Sequence, residues 1–254
     1  MTLIPNRSKK LLEEINVDTP AGLRTSSAYD AALYEEMGKP SRGVLEIKVI
    51  CSFNFKDGKD KAGAALTWTG AEKTDFMSKF RTVVGPAWAE QYRITTSSTV
   101  PAVTDVGVIF DIRTEEDMSI TSHSHWNLNV KKVPEWQTSS VGTWGGGFAW
   151  NGSADLDSLD FRPENKGGPN KQRGALHEFG HMLGHRDEYP DAKENLNWVA
   201  DLDAVMNAGE KIRERHYAMF AAWLTAQYRT AAILAKKSIV FKVNGSTTVD
   251  NANL

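Results

Sequence analysis

The chain lacks most of the features that mark specialised classes of protein. It has one cysteine, Cys51, in 254 residues, so no internal disulfide can form. No apolar run reaches the length that spans a bilayer. Met1 to Glu14 carries basic residues but no apolar stretch of signal-peptide length. An excess of one charge is missing too. Thirty basic and 32 acidic residues leave a net charge of −2, and no basic stripe is interleaved with aromatics. That gives no electrostatic case for a nucleic-acid partner, and nothing points to a membrane. Internal repeats and low-complexity segments are also absent. What remains, 41% hydrophobic and 24% charged, is an ordinary globular composition with enough length for a sizeable core. Eight tryptophans are many for this length. Trp136, Trp144 and Trp150 fall outside periodic segments, which suits a loop-rich cleft, although packing is the default explanation for each of them.

Residues 1–42 are polar and punctuated by Pro5, Pro20, Gly22, Gly38 and Pro40. They read as an N-terminal arm with one short helix over Tyr29 to Met37. Residues 43–230 read as the main domain and 231–254 as a C-terminal strand and tail. Val44 to Phe55 is a strand, with Cys51 as a small core residue. Phe76, Phe80, Val83, Val84 and Trp88 have helical spacing, so Glu72 to Tyr92 reads as a helix kinked at Gly85-Pro86. Val106 to Arg113 has the continuous apolar character of a buried strand. Trp126, Leu128 and Val130 alternate with Asn127, Asn129 and Lys131, which suits a half-exposed edge strand. His123 and His125 flank it at a spacing that can place both on one face, a weak candidate for a second metal site. Gly145-Gly146-Gly147 suits a bulged strand or a flap over a cleft. Asp155, Asp157, Asp160 and Glu164 fall in a loop-rich stretch without EF-hand spacing. Glu210 to Tyr228 reads as a helix burying Ile212, Met219, Phe220, Trp223 and Leu224. Ser238 to Val243 reads as a strand before the turn signal Asn244-Gly245.

One segment carries chemistry. His177 to Tyr189 holds three of the six histidines within nine residues, in the pattern His177-Glu178-x-x-His181. Residues four apart share a helix face. Two imidazoles can therefore address one ion, with Glu178 beside the first as a base for activated water. Leu176, Phe179, Gly180 and Leu183 give this helix a buried face, and Pro169-Asn170 and Gly184 supply start and stop signals. Glycine at 184 permits positive φ and a sharp turn. Such a turn can return Asp187 to the ion as third ligand. His185 and Glu188 compete with Asp187 for that place.

The residues His177, Glu178, His181, Gly184 and Asp187 resemble the elongated zinc signature of the metzincin-like metallopeptidases. The variant is the snapalysin type, in which aspartate replaces the third histidine. Asp187-Glu188-Tyr189-Pro190 also resembles other bacterial zinc peptidases. Metzincins carry a methionine turn beneath the metal, and Val205-Met206-Asn207-Ala208-Gly209 is placed for one. The resemblance covers about a tenth of the chain. It implies an α+β fold of zincin type. Such a fold has a twisted mixed sheet with an edge strand, an active-site helix and a C-terminal helix. It also implies one catalytic Zn2+, a protein or peptide substrate, and Glu178 as general base. Tyr189, Tyr217 and His216 are candidates for oxyanion donors or supporting groups, and Met206 is a packing residue. Another zinc amide hydrolase, such as a peptidoglycan amidase, or an inactive binding module of the same fold, are the competing expectations. Secretion, or delivery from a bacterium by a route without a signal peptide, is the expected localisation.

Overall fold

The computed structural model describes residues 7–18, 27–116, 124–142, 152–165, 169–190 and 196–244. The strands are β1 (Arg7–Val17), β2 (Tyr29–Glu36), β3 (Arg42–Lys56), the small hairpin β4 (Gly58–Lys59) and β5 (Ala65–Leu66), β6 (Arg93–Thr95), β7 (Asp105–Glu115), β8 (Trp126–Lys131), β9 (Ser140–Gly142), β10 (Gly152–Asp157), the pair β11 (Glu164–Asn165) and β12 (Lys171–Gln172), and β13 (Lys242–Val243). The helices are α1 (Gly70–Lys79), α2 (Gly85–Trp88), α3 (Gly174–Met182) and α4 (Ala218–Leu234). The fold is α+β around a mixed sheet.

Nine strands form the main sheet, with β13-β6-β7-β3-β8-β10-β9 in order, β2 joined to β3 and β1 to β2. β3, β7, β8 and β10 are parallel, while β9 runs antiparallel at the edge beyond β10. On one face Leu45, Ile47, Val49, Cys51 and Phe53 of β3 alternate inward and are fully buried. Helices cover this face. Phe53 meets Phe76 and Phe80, and Phe110 meets Phe179 of α3 and Phe220 of α4 in edge contacts. The opposite face is more polar. There Asn54 donates to Asn129, and Asn129 donates to Asp155, as a ladder across β3, β8 and β10.

β2 and β8 share one edge of β3. β2 pairs with residues 43–48 and β8 with 51–56. His125 fills the fork between them. Its N–H donates to Ile50 O (2.9 Å), its Nδ1 accepts from Ile50 N–H (3.0 Å), and Nε2 meets Asp30 Oδ1 (3.1 Å). This satisfies backbone groups that neither strand reaches. A second metal site at His125 is not supported, because its ring is spent on these bonds, and His123 lies outside the described residues.

Several expectations are corrected. Tyr29 to Met37 is not a helix: Tyr29–Glu36 is strand β2, bound on both sides by β1 and β3. The segment has helix-forming residues, but pairing on two edges outweighs that weak preference. The N-terminal residues 7–17 and 29–36 thus lie within the main sheet. Trp126 to Val130 is not an edge strand but lies between β3 and β10. Its alternation reports one polar sheet face, not an open edge. The helix expected over 72–92 is α1, a π-helical segment Phe80–Val84, and α2, ending at Trp88. The irregular turn directly precedes Pro86, which has no N–H to donate. The C-terminal helix starts at Ala218, not Glu210, and runs to Leu234. Before it Glu214–Tyr217 form a 3-10 turn, from which Arg215 and His216 reach Glu188. Gly152–Asp157, expected as loop, is β10, and of Ser238 to Val243 only Lys242–Val243 is strand. Gly145 to Gly147 and Gly245 lie outside the described residues.

The acidic residues of 155–164 are engaged locally. Asp157 accepts from Gln137 and Leu159 N–H, Asp160 from Ser139 and Asp157 N–H, and Glu164 pairs with Arg162. Burial, with the neighbouring Asp157 carboxylate, pushes Asp160 up to about 7.

His125→Ala leaves Ile50 N–H unpaired in the fork, which should lower unfolding free energy by about 1–3 kcal/mol near pH 7.5. Burial, working against Asp30, holds the His125 imidazole below its usual 6.5. A depressed pKa means the stability it contributes is present above about pH 6.5 and is lost as pH falls. Urea unfolding at about pH 7.5 and 5.5 should therefore show a larger acid loss in wild type than in His125→Ala. Equal losses contradict the assignment.

Candidate metal centre

α3 is buried on every side, from Gly174 to Met182. A helix without a solvated face belongs inside a domain, and here the π-helical segment Phe80–Val84, Trp88, the sheet and the 204–209 turn enclose it. The helix ends in a Schellman arrangement. Gly184 has φ +100°, its N–H reaches His181 O (2.8 Å), and His185 N–H reaches Gly180 O (3.0 Å). The chain turns back at this point, and Asp187 returns to the histidines.

His177 Nε2, His181 Nε2 and Asp187 Oδ1 form a near-equilateral triangle. Its sides are 3.2 Å between the imidazoles and 3.0 and 3.1 Å from them to the carboxylate. Among the described residues these three form a group that can hold a metal ion. Ligands about 2.0–2.1 Å from a tetrahedral ion lie about 3.3 Å apart, close to these sides. The ring orientations also fit. His177 Nδ1 lies 2.8 Å from Val205 O and His181 Nδ1 lies 2.7 Å from His185 O. Donation to those carbonyls places the proton on Nδ1 and leaves each Nε2 lone pair turned inward. Asp187 Oδ1 is buried without a hydrogen-bond partner, while Oδ2 accepts from Tyr189 hydroxyl (2.8 Å). Burial opposes the Asp187 charge, but with no ion among them a proton on either Nε2 is donated to Asp187 and holds its carboxyl well below the usual carboxylate range. Burial likewise disfavours a charged His181, yet Asp187 raises its pKa overall.

Glu178 is 3% exposed and its Oε2 has no hydrogen-bond partner. A buried carboxylate oxygen left unpaired calls for a water or a ligand. Met206 is fully buried under α3. A Cβ on Gly180 would run into its Sδ and come within 3.0 Å of Trp88 Cζ2. Glycine at 180 therefore lets the methionine turn approach the helix.

The remaining candidates stand elsewhere. Glu188 is turned from the triangle and takes the Arg215 fork at 2.7 and 2.6 Å, with His216 Nε2 at 3.3 Å. Burial works against its charge, but these donors hold the carboxyl down to about 2. His185 stacks on Trp88 (5.6 Å between centroids), and burial pushes it down to about 3. His216 Nδ1 accepts from Arg213 N–H (3.1 Å) in the turn before α4. Tyr217 is buried and its hydroxyl donates to Trp88 O. These groups support the site without meeting the triangle, whereas Tyr189 is at it.

Sequence reasoning missed Gln172, Asn207 and Arg215. Buried Gln172 Nε2 lies 2.8 Å from Val205 O, 3.0 Å from Asn207 O and 2.8 Å from Gly209 O. It braces the carbonyl that orients His177. Asn207 Nδ2 ties Glu188 O (3.1 Å) and Val199 O (3.2 Å) to the methionine turn. None of these pairings has a local sequence signal.

No family model, curated protein or solved structure matches this chain.

Gly180→Ala should cost about 1–3 kcal/mol of stability by overpacking. Met206→Ala in the same chain should relieve part of that cost, so the double variant is more stable than the sum of the single losses predicts. Strict additivity in urea unfolding contradicts the contact.

Proposed function

We propose that the chain is a zinc-dependent endopeptidase. The observation that carries this reading is the buried His177–His181–Asp187 triangle on the same helix as Glu178. Two imidazoles and one carboxylate suit zinc and leave a fourth position open, the mark of a catalytic rather than a structural site. Bound zinc would supply an acidified water and an electrophile for the scissile carbonyl. Glu178 would accept the proton of the attacking water and return it to the leaving amine. Its unpaired Oε2 supports that role. Tyr189 holds the outer oxygen of Asp187 and so orients a ligand. Met206 and Gln172 keep the floor of the site in place.

A peptide is the substrate the surroundings favour. β9 is an edge strand, paired only to β10 among the described residues, and α3 packs beneath both. An extended peptide can add to such an edge by main-chain hydrogen bonds. No helix among the described residues is long and apolar enough to cross a membrane.

The test is digestion of a diverse peptide library by zinc-loaded protein beside Glu178→Ala. Cleavage by wild type with a loss of about 10²–10⁴-fold in the variant is expected. Equal cleavage by both removes Glu178 from the mechanism. No cleavage by either, with one zinc bound per chain, turns the reading to a non-peptide amide substrate or a binding role.

A further inference from the structure

We infer that Glu188 is a positioning residue: locked to Arg215, it holds the Asp187 backbone where Oδ1 meets the two imidazoles. This rests on the metal-site reading above and adds the device that sets its third ligand.

Residues 185–188 belong to no helix or strand. Nothing periodic fixes Asp187, so its place is set by its neighbours. On one side, His185 O is bound by the His181 ring. On the other, every polar group of Glu188 is engaged. Its N–H donates to Met206 O (2.8 Å), its carbonyl accepts from Asn207 Nδ2 (3.1 Å), and its carboxylate takes Arg215 Nε and Nη2 at 2.7 and 2.6 Å. The side chain is 2% exposed.

Arg215 is itself fixed. Its Nη2 also donates to Asp201 Oδ2 (2.8 Å), and its guanidinium lies 4.4 Å from the Trp198 ring centre. Arg213 takes the same Asp201 at 2.9 and 2.6 Å. The network therefore joins three pieces of chain: the stretch after α3, the loop at 198–201, and the turn that starts α4. A buried ion pair is a poor device for stability, because desolvation offsets most of its attraction. Its directional fork is a good device for geometry.

The test measures zinc affinity by chelator competition and the visible spectrum of the Co2+-loaded protein. Glu188→Gln keeps the size but breaks the matched fork. It should bind zinc about 10–100-fold more weakly than wild type. Its Co2+ bands should weaken, as more than one water enters beside a loosened Asp187 and the coordination number rises above four. Glu188→Met with Arg215→Met removes both charges and keeps the packing, so it controls for failure of Glu188→Gln to fold. It should fold and show the same loss of affinity and the same spectrum. Wild-type affinity and spectrum in either folded variant overturn the inference. If His177→Ala weakens zinc binding and Glu188→Gln does not, the metal reading stands and this inference alone falls. A wild-type chain that binds neither metal overturns both.

Discussion

Three lone-pair atoms about 3 Å apart, two imidazole nitrogens and a carboxylate oxygen, repel one another unless a cation or a proton sits among them. The surrounding structure is arranged to hold that juxtaposition. Backbone carbonyls of Val205 and His185 hold the rings, Gln172 holds Val205, and Tyr189 holds the far oxygen of Asp187. Hydrogen bonds of this kind fix ring orientation and tautomer and raise the basicity of the inward nitrogens, as a metal site requires. Glycine at 180 lets Met206 support the helix from below, and glycine at 184 allows the return of the chain.

The sheet serves the same end at longer range. Its parallel strands carry helices on one face, and the aromatic contacts of Phe53, Phe80, Phe110 and Phe179 seat α3 against them. The N-terminal strands extend this platform along β3. His125 at the fork lets an antiparallel and a parallel neighbour share one edge without orphaned backbone groups. Glu14 reaches from β1 to Trp223 and Gln227 of α4, so β1 also fastens α4.

The parts of this arrangement that are local in sequence were legible there. The i, i+4 histidines and the glycine stop can be read from spacing, as can strands β3 and β7 from their apolar runs, but spacing leaves Asp187, His185 and Glu188 open as the third ligand. What depends on partners distant in sequence could not be read. Glu188 competes with Asp187 on paper, and only its pairing with Arg215, 27 residues on, removes it from the triangle. Gln172 carries no motif at all. The alternation of Trp126 to Val130 reports which side chains are buried but not whether a strand lies on each flank. Tyr29–Glu36 has the composition of a helix and becomes a strand because two neighbours pair with it.

The central claim is that His177, His181 and Asp187 converge on one metal ion. X-ray diffraction from zinc-loaded crystals, with anomalous data across the zinc edge, tests it most directly. The account predicts one strong peak within about 2.0–2.2 Å of both Nε2 atoms and one Asp187 oxygen. A peak elsewhere, or a zinc at this place held by Glu188 or His185 instead of Asp187, contradicts it.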